Sequence, residues 1–454
     1  MSNAFVSDLL ASITERGRAL LRIPPAPIEP EKRAANLLEL CENLMAGHGE
    51  ASGTATARAA LDRYYDLDEA GRVTFFKALA EDFGPIRSRL EEAIDAWRKD
   101  PTHNDAGDLH LASEPRRQEL FRLFNRAPGG TGDLVQMRAD LLALVRKHPE
   151  IAVVDRDLVH LFGSWFNRGF LVLRRIDWST PANILEKVIR YEAVHEIHDW
   201  DDLRRRIDPV DRRCYAFFHP ALTDEPLIFV EVALTETIPS AIAPLLAKER
   251  EPVPINRART AVFYSISNCQ RGLARISFGN FLIKQVVEEL RRELPKLDTF
   301  VTLSPVPGFM AWLKGTPVED LPLAEEDRPL IDLLDTPQWI DDPEQVGRMR
   351  AVFEPVVAHY FLKAKTAQGL PVDPVARFHL GNGARLERVG WLGDRSTKGL
   401  RESGGVMVNY LYDLDDIEKN HEAFANQGEV AVSNAVRRLM KTEGRRYLPI
   451  GLGG

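Results

Sequence analysis

Val262-Phe-Tyr-Ser-Ile-Ser267 is a β-branched and aromatic run; Gln270-Arg-Gly-Leu-Ala-Arg-Ile-Ser-Phe-Gly-Asn280 follows it, and Phe281-Leu-Ile-Lys-Gln-Val-Val287 begins an apolar stretch with helical spacing. The order reads as strand, loop and helix. The first backbone amides of a helix lack intrahelical partners and attract anions, so Ser277 to Asn280 form a candidate phosphate cradle. Arg271 and Arg275 could clamp a diphosphate there, with Lys284 one turn into the helix. The loop lacks the Lys-Ser/Thr ending of a nucleotide P-loop and the three spaced glycines of a dinucleotide fingerprint, which argues against ATP and NAD. A solvated basic loop is the plain structural alternative.

The rest of the chain limits what such a site can serve. With 454 residues the sequence can bury at least two cores, and two or three domains are expected. A formal net charge of −8 disfavours broad binding to nucleic acid or anionic lipid, so any anion site must be local. Cys41, Cys214 and Cys269 are odd in number and unclustered, which indicates neither a disulfide framework nor a Cys-based zinc site. No apolar run reaches membrane-spanning length, Met1-Ser-Asn-Ala lacks a secretory pattern, and the C-terminal Leu448-Pro-Ile-Gly-Leu-Gly-Gly454 is no peroxisomal signal. A cytoplasmic protein is the expectation.

From Asn3 to about residue 163 apolar residues recur three and four apart, as in Val73, Phe76, Leu79 and Phe83. Helices are predicted over Ala35 to Met45, Arg72 to Phe83, Ile86 to Trp97 and Leu134 to Arg146. The character changes after Leu161, and past Pro209 short strands alternate with helices: Arg213 to Phe218, Leu227 to Ala233, Ala261 to Ser267, Thr299 to Leu303, Ala376 to Leu380, Leu386 to Trp391 and Val406 to Tyr412. A helix is predicted from about Phe278 to Leu294. The expected architecture is thus a helical bundle over 1–165 and an α/β domain with a mostly antiparallel sheet over 166–454.

Two further features could carry chemistry. Leu303-Ser-Pro-Val-Pro-Gly-Phe309 is a stiff turn after a strand, able to hold the Ser304 hydroxyl in one place, although an ordinary turn reads the same. His379, at the expected end of a short strand and before Gly381-Asn-Gly383, is the histidine best placed for proton exchange; a buried histidine satisfied by a carbonyl is the plain alternative. His195 and His198 are three apart where a zinc-protease helix needs four, and the acidic groups at 199–202 and 413–416 lack a calcium-loop pattern. No Gly-x-Ser-x-Gly elbow anchors a hydrolase triad.

Taken together, Tyr264-Ser-Ile-Ser267, Gly279 to Val287, Leu303 to Phe309, Phe378-His-Leu-Gly-Asn-Gly-Ala384 and Asn409-Tyr-Leu-Tyr412 resemble malonyl-CoA decarboxylases. Ser164-Trp-Phe-Asn-Arg-Gly-Phe-Leu171, Glu192-Ala-Val-His195 and Arg212-Arg-Cys-Tyr215 match in the same order. The resemblance implies a helical oligomerisation domain, with a tetrameric homo-oligomer expected, and a catalytic domain of the GNAT acyltransferase fold. It places the proton-handling pair on Ser304 and His379, Ser265 and Tyr412 near the malonyl group, and the acyl-CoA loop on Ala274, Arg275, Ile276, Ser277, Phe278, Gly279 and Asn280. Ser277 stands where a glycine is usual in the superfamily and Ala274 where a polar or basic residue is common.

The implied reaction, from malonyl-CoA to acetyl-CoA and CO2, requires no cofactor, because the thioester carbonyl itself accepts the electrons as an enolate. The protein must hold the carboxylate out of the thioester plane, donate hydrogen bonds to the enolate oxygen and protonate carbon. An imidazole titrating near neutral pH is expected at His379 for that last step. Two other functions fit parts of the pattern: acyl transfer from CoA to an amine, and a non-catalytic acyl-CoA sensor. Neither nucleic acid nor membrane is expected as a partner.

Overall fold

The computed structural model describes residues 30–47, 49–101, 106–276 and 282–446. Ser277, Phe278, Gly279 and Asn280 of the expected phosphate loop lie outside the described residues. Two compact units result, one comprising Met1–Val172, His219–Glu225 and Gln270–Phe278, the other Leu173–Phe218, Pro226–Cys269 and Gly279–Gly454.

The first unit is helical. Its described helices are α1 (Pro30–Met45), α2 (Glu50–Tyr65), α3 (Glu69–Glu81), α4 (Arg87–Lys99), α5 (Ala106–Ser113), α6 (Arg116–Asn125), α7 (Gly130–Leu144) and α8 (Ala152–Trp165). α3 starts at Asp68, whose carboxylate accepts from Gly71 N at 2.8 Å and so pairs one of the free amides of the first turn. It buries Phe76 and Leu79 as the spacing predicts, together with Phe75, whereas Val73, expected on the same face, is half-buried. On α7, Arg138 is fully buried; its Nε donates to Asp155 Oδ1 at 2.8 Å, and its Nη1 donates to the carbonyls of Gly272 at 2.6 Å and Ala274 at 2.9 Å. The segment after residue 270 is thereby tied to the helices.

The second unit is built on a sheet ordered β1-β2-β3-β4-β5-β8-β6, with β7 also paired to β8. The strands are β1 (Val172–Ile176), β2 (Arg212–Phe218), β3 (Pro226–Thr235), β4 (Thr260–Asn268), β5 (Thr299–Thr302), β6 (Ser304–Pro305), β7 (Arg385–Gly390) and β8 (Met407–Leu411). β2 to β4 are buried almost throughout, which explains their nearly continuous apolar runs. On one side pack α9 (Ala182–Tyr191) and α10 (Trp200–Ile207), where Leu185, Val188 and Leu203 share a core with Cys214, Ala216 and Phe229. α11 (Leu282–Glu293) buries Leu282, Ile283, Val286, Val287 and Leu290, within the predicted span.

Most pairs are antiparallel, but β4 and β5 run parallel, from Thr260 opposite Thr299 to Phe263 opposite Thr302. There the pairing stops. Beyond it, β4 continues against β3 alone to Asn268, whereas Ser304 and Pro305 pair with Val408 and Met407 of β8. The two strands thus fork, and the stretch from Tyr264 to Asn268 has no described strand partner on its β5 side.

One predicted element is wrong. Ala376 to Leu380 is no strand; it lies within helix α12 (Pro374–Gly381), which starts at the buried Asp373. The Asp373 carboxylate accepts from Ala376 N at 2.7 Å, and Pro374 occupies the first turn, where a missing N–H costs nothing. Asp-Pro before the run was the signal of a helix start; the short apolar run by itself fits either structure.

Candidate active site

The helix carries His379 inward: Ala376, His379 and Leu380 are its buried residues, spaced three and four apart on one face. The imidazole is 3 % exposed. Its Nε2 lies 3.2 Å from Ser304 Oγ, its Nδ1 lies 2.8 Å from the Tyr412 hydroxyl, and its ring stacks on Tyr410 with centroids 4.6 Å apart. Three residues from separate parts of the sequence, Ser304, His379 and Tyr412, are therefore joined in one chain of hydrogen bonds. Tyr412, just past β8, is anchored by its own backbone N–H on the carbonyl of Phe300, 2.8 Å away.

Ser304 Oγ also donates to Thr302 Oγ1 at 2.9 Å. Thr302 is fully buried and accepts a second bond there from Tyr410 N at 3.1 Å. Its carbonyl accepts from Asn409 Nδ2 at 2.8 Å, and Asn409 Oδ1 in turn accepts from Arg388 Nε at 3.0 Å. Sequence reasoning missed Thr302, Asn409 and Arg388. For Thr302 a signal existed, since residues two apart on an extended segment share a face and Thr302 precedes Ser304 by two.

Burial pushes the His379 imidazole down to about 3, so it is neutral at ordinary pH. This corrects the expectation of an imidazole titrating near neutrality. Burial likewise raises the Tyr412 phenol, which keeps its proton. In the unfolded chain the imidazole titrates at ~6.5, so its contribution to stability is complete above that value and is lost as pH falls towards 3. Over that window the unfolding free energy of His379→Gln should gain on the wild type by ~1.4 kcal/mol per pH unit. Urea titrations at about pH 6 and about pH 4 check this, and a constant difference would show an unshifted imidazole.

Ser265, on β4 beyond the fork, is 1 % exposed and donates to Glu192, with oxygens 2.7 and 2.9 Å away. Glu192 also accepts from Val194 N at 2.8 Å, His195 N at 2.7 Å and Ser267 Oγ at 3.3 Å. Opposite Ser265 on β3, the carboxyl of Glu231 is pushed up to about 8, by burial first and the charge of Glu192 second, with Arg206 Nη1 at 3.2 Å opposing.

Of the expected acyl-CoA loop, Ala274, Arg275 and Ile276 are described. Ile276 is buried, Arg275 is exposed with φ of 66°, and Arg271 is exposed as well. Lys284 donates to Glu418 at 2.8 Å.

A family model described as malonyl-CoA decarboxylase C-terminal domain matches residues 169–448, and one described as malonyl-CoA decarboxylase N-terminal domain matches 83–166. A mitochondrial malonyl-CoA decarboxylase from the goose Anser anser anser is 36% identical over 410 residues, which are 82% of this chain and 81% of that protein. The crystal structure of malonyl-CoA decarboxylase from Rhodopseudomonas palustris shares 58% identity at a TM-score of 0.87, covering 91% of this chain and 100% of its own. That from Agrobacterium vitis shares 56% at 0.85, covering 89% and 99%.

Proposed function

The chain belongs to the malonyl-CoA decarboxylase family, and from that membership we propose that it converts malonyl-CoA to acetyl-CoA and CO2 with His379 as the proton donor. The observation that carries this reading is the buried, neutral imidazole held between Ser304 and Tyr412 beside the fork of β4 and β5. A strand edge without a strand partner offers main-chain donors and acceptors, which suits the amide-bearing arm of coenzyme A. The diphosphate is assigned to the loop from Ala274 to Asn280, with the exposed Arg271 and Arg275 as its cations.

As the C–C bond breaks, CO2 departs and its bonding pair enters the thioester as an enolate. The Nε2 proton of His379 then goes to the α-carbon. A neutral imidazole that only lost a proton would become an imidazolate; here the Tyr412 hydroxyl can pass its proton to Nδ1 as Nε2 gives one up. Solvent restores the proton, so one proton is consumed per turnover. Ser304 orients the imidazole, and Ser265, held by Glu192, contributes to positioning the malonyl group. The thioester is the electron sink, so the reaction assigns no step to biotin, pyridoxal phosphate or a metal.

We extend the proposal to self-association through the helical unit. Helices α4 and α5 bury none of their residues within the chain and leave Trp97 41 % and Leu111 67 % exposed, a surface suited to a second copy. Among the described residues no helix is long and apolar enough to cross a membrane. A cytoplasmic location is proposed from the sequence, whose odd, unclustered cysteines indicate no disulfide framework.

Mass spectrometry of the purified protein with malonyl-CoA in metal-free buffer tests the activity, with light scattering on the same sample for assembly. Acetyl-CoA formation is the expected result, at a mass several times the 51.2 kDa of one chain. Intact malonyl-CoA would remove the reading, and tight binding without turnover would favour a sensor.

A further inference from the structure

We propose that Thr302 is a positioning residue that sets the tautomer of His379, and with it which ring nitrogen holds the proton used in the reaction. The inference rests on the reading of His379 as proton donor. It begins with the direction of the two hydrogen bonds at Thr302 Oγ1. Tyr410 N–H can only donate, and it donates to Thr302 Oγ1 at 3.1 Å. The single hydroxyl proton of Ser304 also goes to Thr302 Oγ1, at 2.9 Å. Ser304 therefore has only lone pairs to offer His379 Nε2, 3.2 Å away, and the bond exists only if Nε2 carries hydrogen.

A neutral imidazole has one N–H, so Nδ1 is left as the acceptor and the Tyr412 hydroxyl, 2.8 Å away, is its donor. Burial supports both premises, since it keeps the imidazole neutral and the phenol protonated. The result is a one-way chain: Tyr412 O–H to Nδ1, Nε2–H to Ser304, Ser304 O–H to Thr302.

Thr302 can set this direction because little around it can turn. It is fully buried at the last paired position of β5, opposite Phe263. Asn409 grips its carbonyl, and the amide of Asn409 is oriented by Arg388, whose Nη2 donates to the carbonyls of Ile238 at 3.1 Å and Pro239 at 2.7 Å. Without Thr302 Oγ1, the Ser304 proton has no acceptor on that side and turns to Nε2. The imidazole then carries its proton on Nδ1, facing Tyr412, and presents a lone pair where the enolate needs an acid.

The test is imidazole nitrogen NMR on the full-length protein labelled with nitrogen-15 at histidine, with the His379 signals identified by their absence in His379→Gln. In the wild type at neutral pH the proton is expected on Nε2; finding it on Nδ1 overturns the proposal without any variant. Thr302→Val, close in shape but without the hydroxyl, is expected to move the proton to Nδ1 and lower kcat by about 100-fold, with KM changed far less. Thr302→Ser, which restores the acceptor, is expected to restore Nε2–H and recover kcat to within about threefold of wild type.

If Thr302→Val keeps Nε2–H and its kcat, or if Thr302→Ser is as slow as Val with the tautomer unchanged, Thr302 does not act through the imidazole. Failure of the underlying reading shows separately, as near-normal turnover by His379→Gln.

Discussion

Replacing His379 by alanine is expected to lower kcat for malonyl-CoA by about 100-fold to 10,000-fold, the contribution typical of one positioned acid. The imidazole is joined to both Ser304 and Tyr412, so its removal cuts the proposed proton route at its centre. KM should change little, because the role proposed for the residue is at the α-carbon after binding. His379→Gln serves as a companion that keeps bulk and some hydrogen bonding, so a shared loss in both variants separates proton transfer from the cavity that alanine leaves. Acetyl-CoA formation measured by mass spectrometry, beside thermal unfolding of each variant, checks the result. A loss smaller than roughly tenfold in folded protein would take His379 out of the role.

A smaller effect, on binding rather than turnover, is expected from Gly272→Ala. A Cβ at Gly272 would stand 1.8 Å from the backbone oxygen of Val135 and 2.7 Å from its carbonyl carbon. Val135 lies within α7, so the obstacle is helix backbone and cannot swing aside. The segment must instead lift away, which stretches the bonds from Arg138 to the carbonyls of Gly272 and Ala274 and disturbs the seating of Leu273 and Ile276. Overpacking of this kind costs ~1–3 kcal/mol. Because Arg271 and Arg275 ride on that segment, KM for malonyl-CoA should rise by about tenfold or more, with kcat much less affected. Steady-state kinetics beside a melting curve decides it; an unchanged KM in a destabilised protein would mean that the seat of this loop on α7 does not matter to the substrate.

The helical region, most strands and the β4-loop-α11 order were legible because each leaves a local period in the sequence. α3 shows its apolar face at Phe76 and Leu79, and β2 and β3 show nearly continuous apolar runs. Ala376 to Leu380 reads as a strand because five residues are too few to tell a strand from a helix turn, and the deciding Asp373-Pro374 start lies outside that run. Ser304, His379 and Tyr412 were named from motifs matching a family, and the structure brings them together. Their environment was not legible in the same way: an imidazole pushed down to about 3 is a property of what surrounds it, not of the residues beside it in the chain.

Taken by itself, then, the sequence determined the helical and α/β character of the two regions, the strand and helix on either side of the loop at 270–280, and which side chains are candidates for the reaction, since periodicity and motif order are short-range properties. Only the tertiary structure decided that the pairing of β4 and β5 ends at Phe263 and Thr302, that Glu192 holds Ser265, and that Thr302 takes the Ser304 proton. Those contacts join residues brought close by register and burial. Hydrogen bonds at 2.7 to 3.2 Å, and the protonation they impose, depend on distances that no local pattern records.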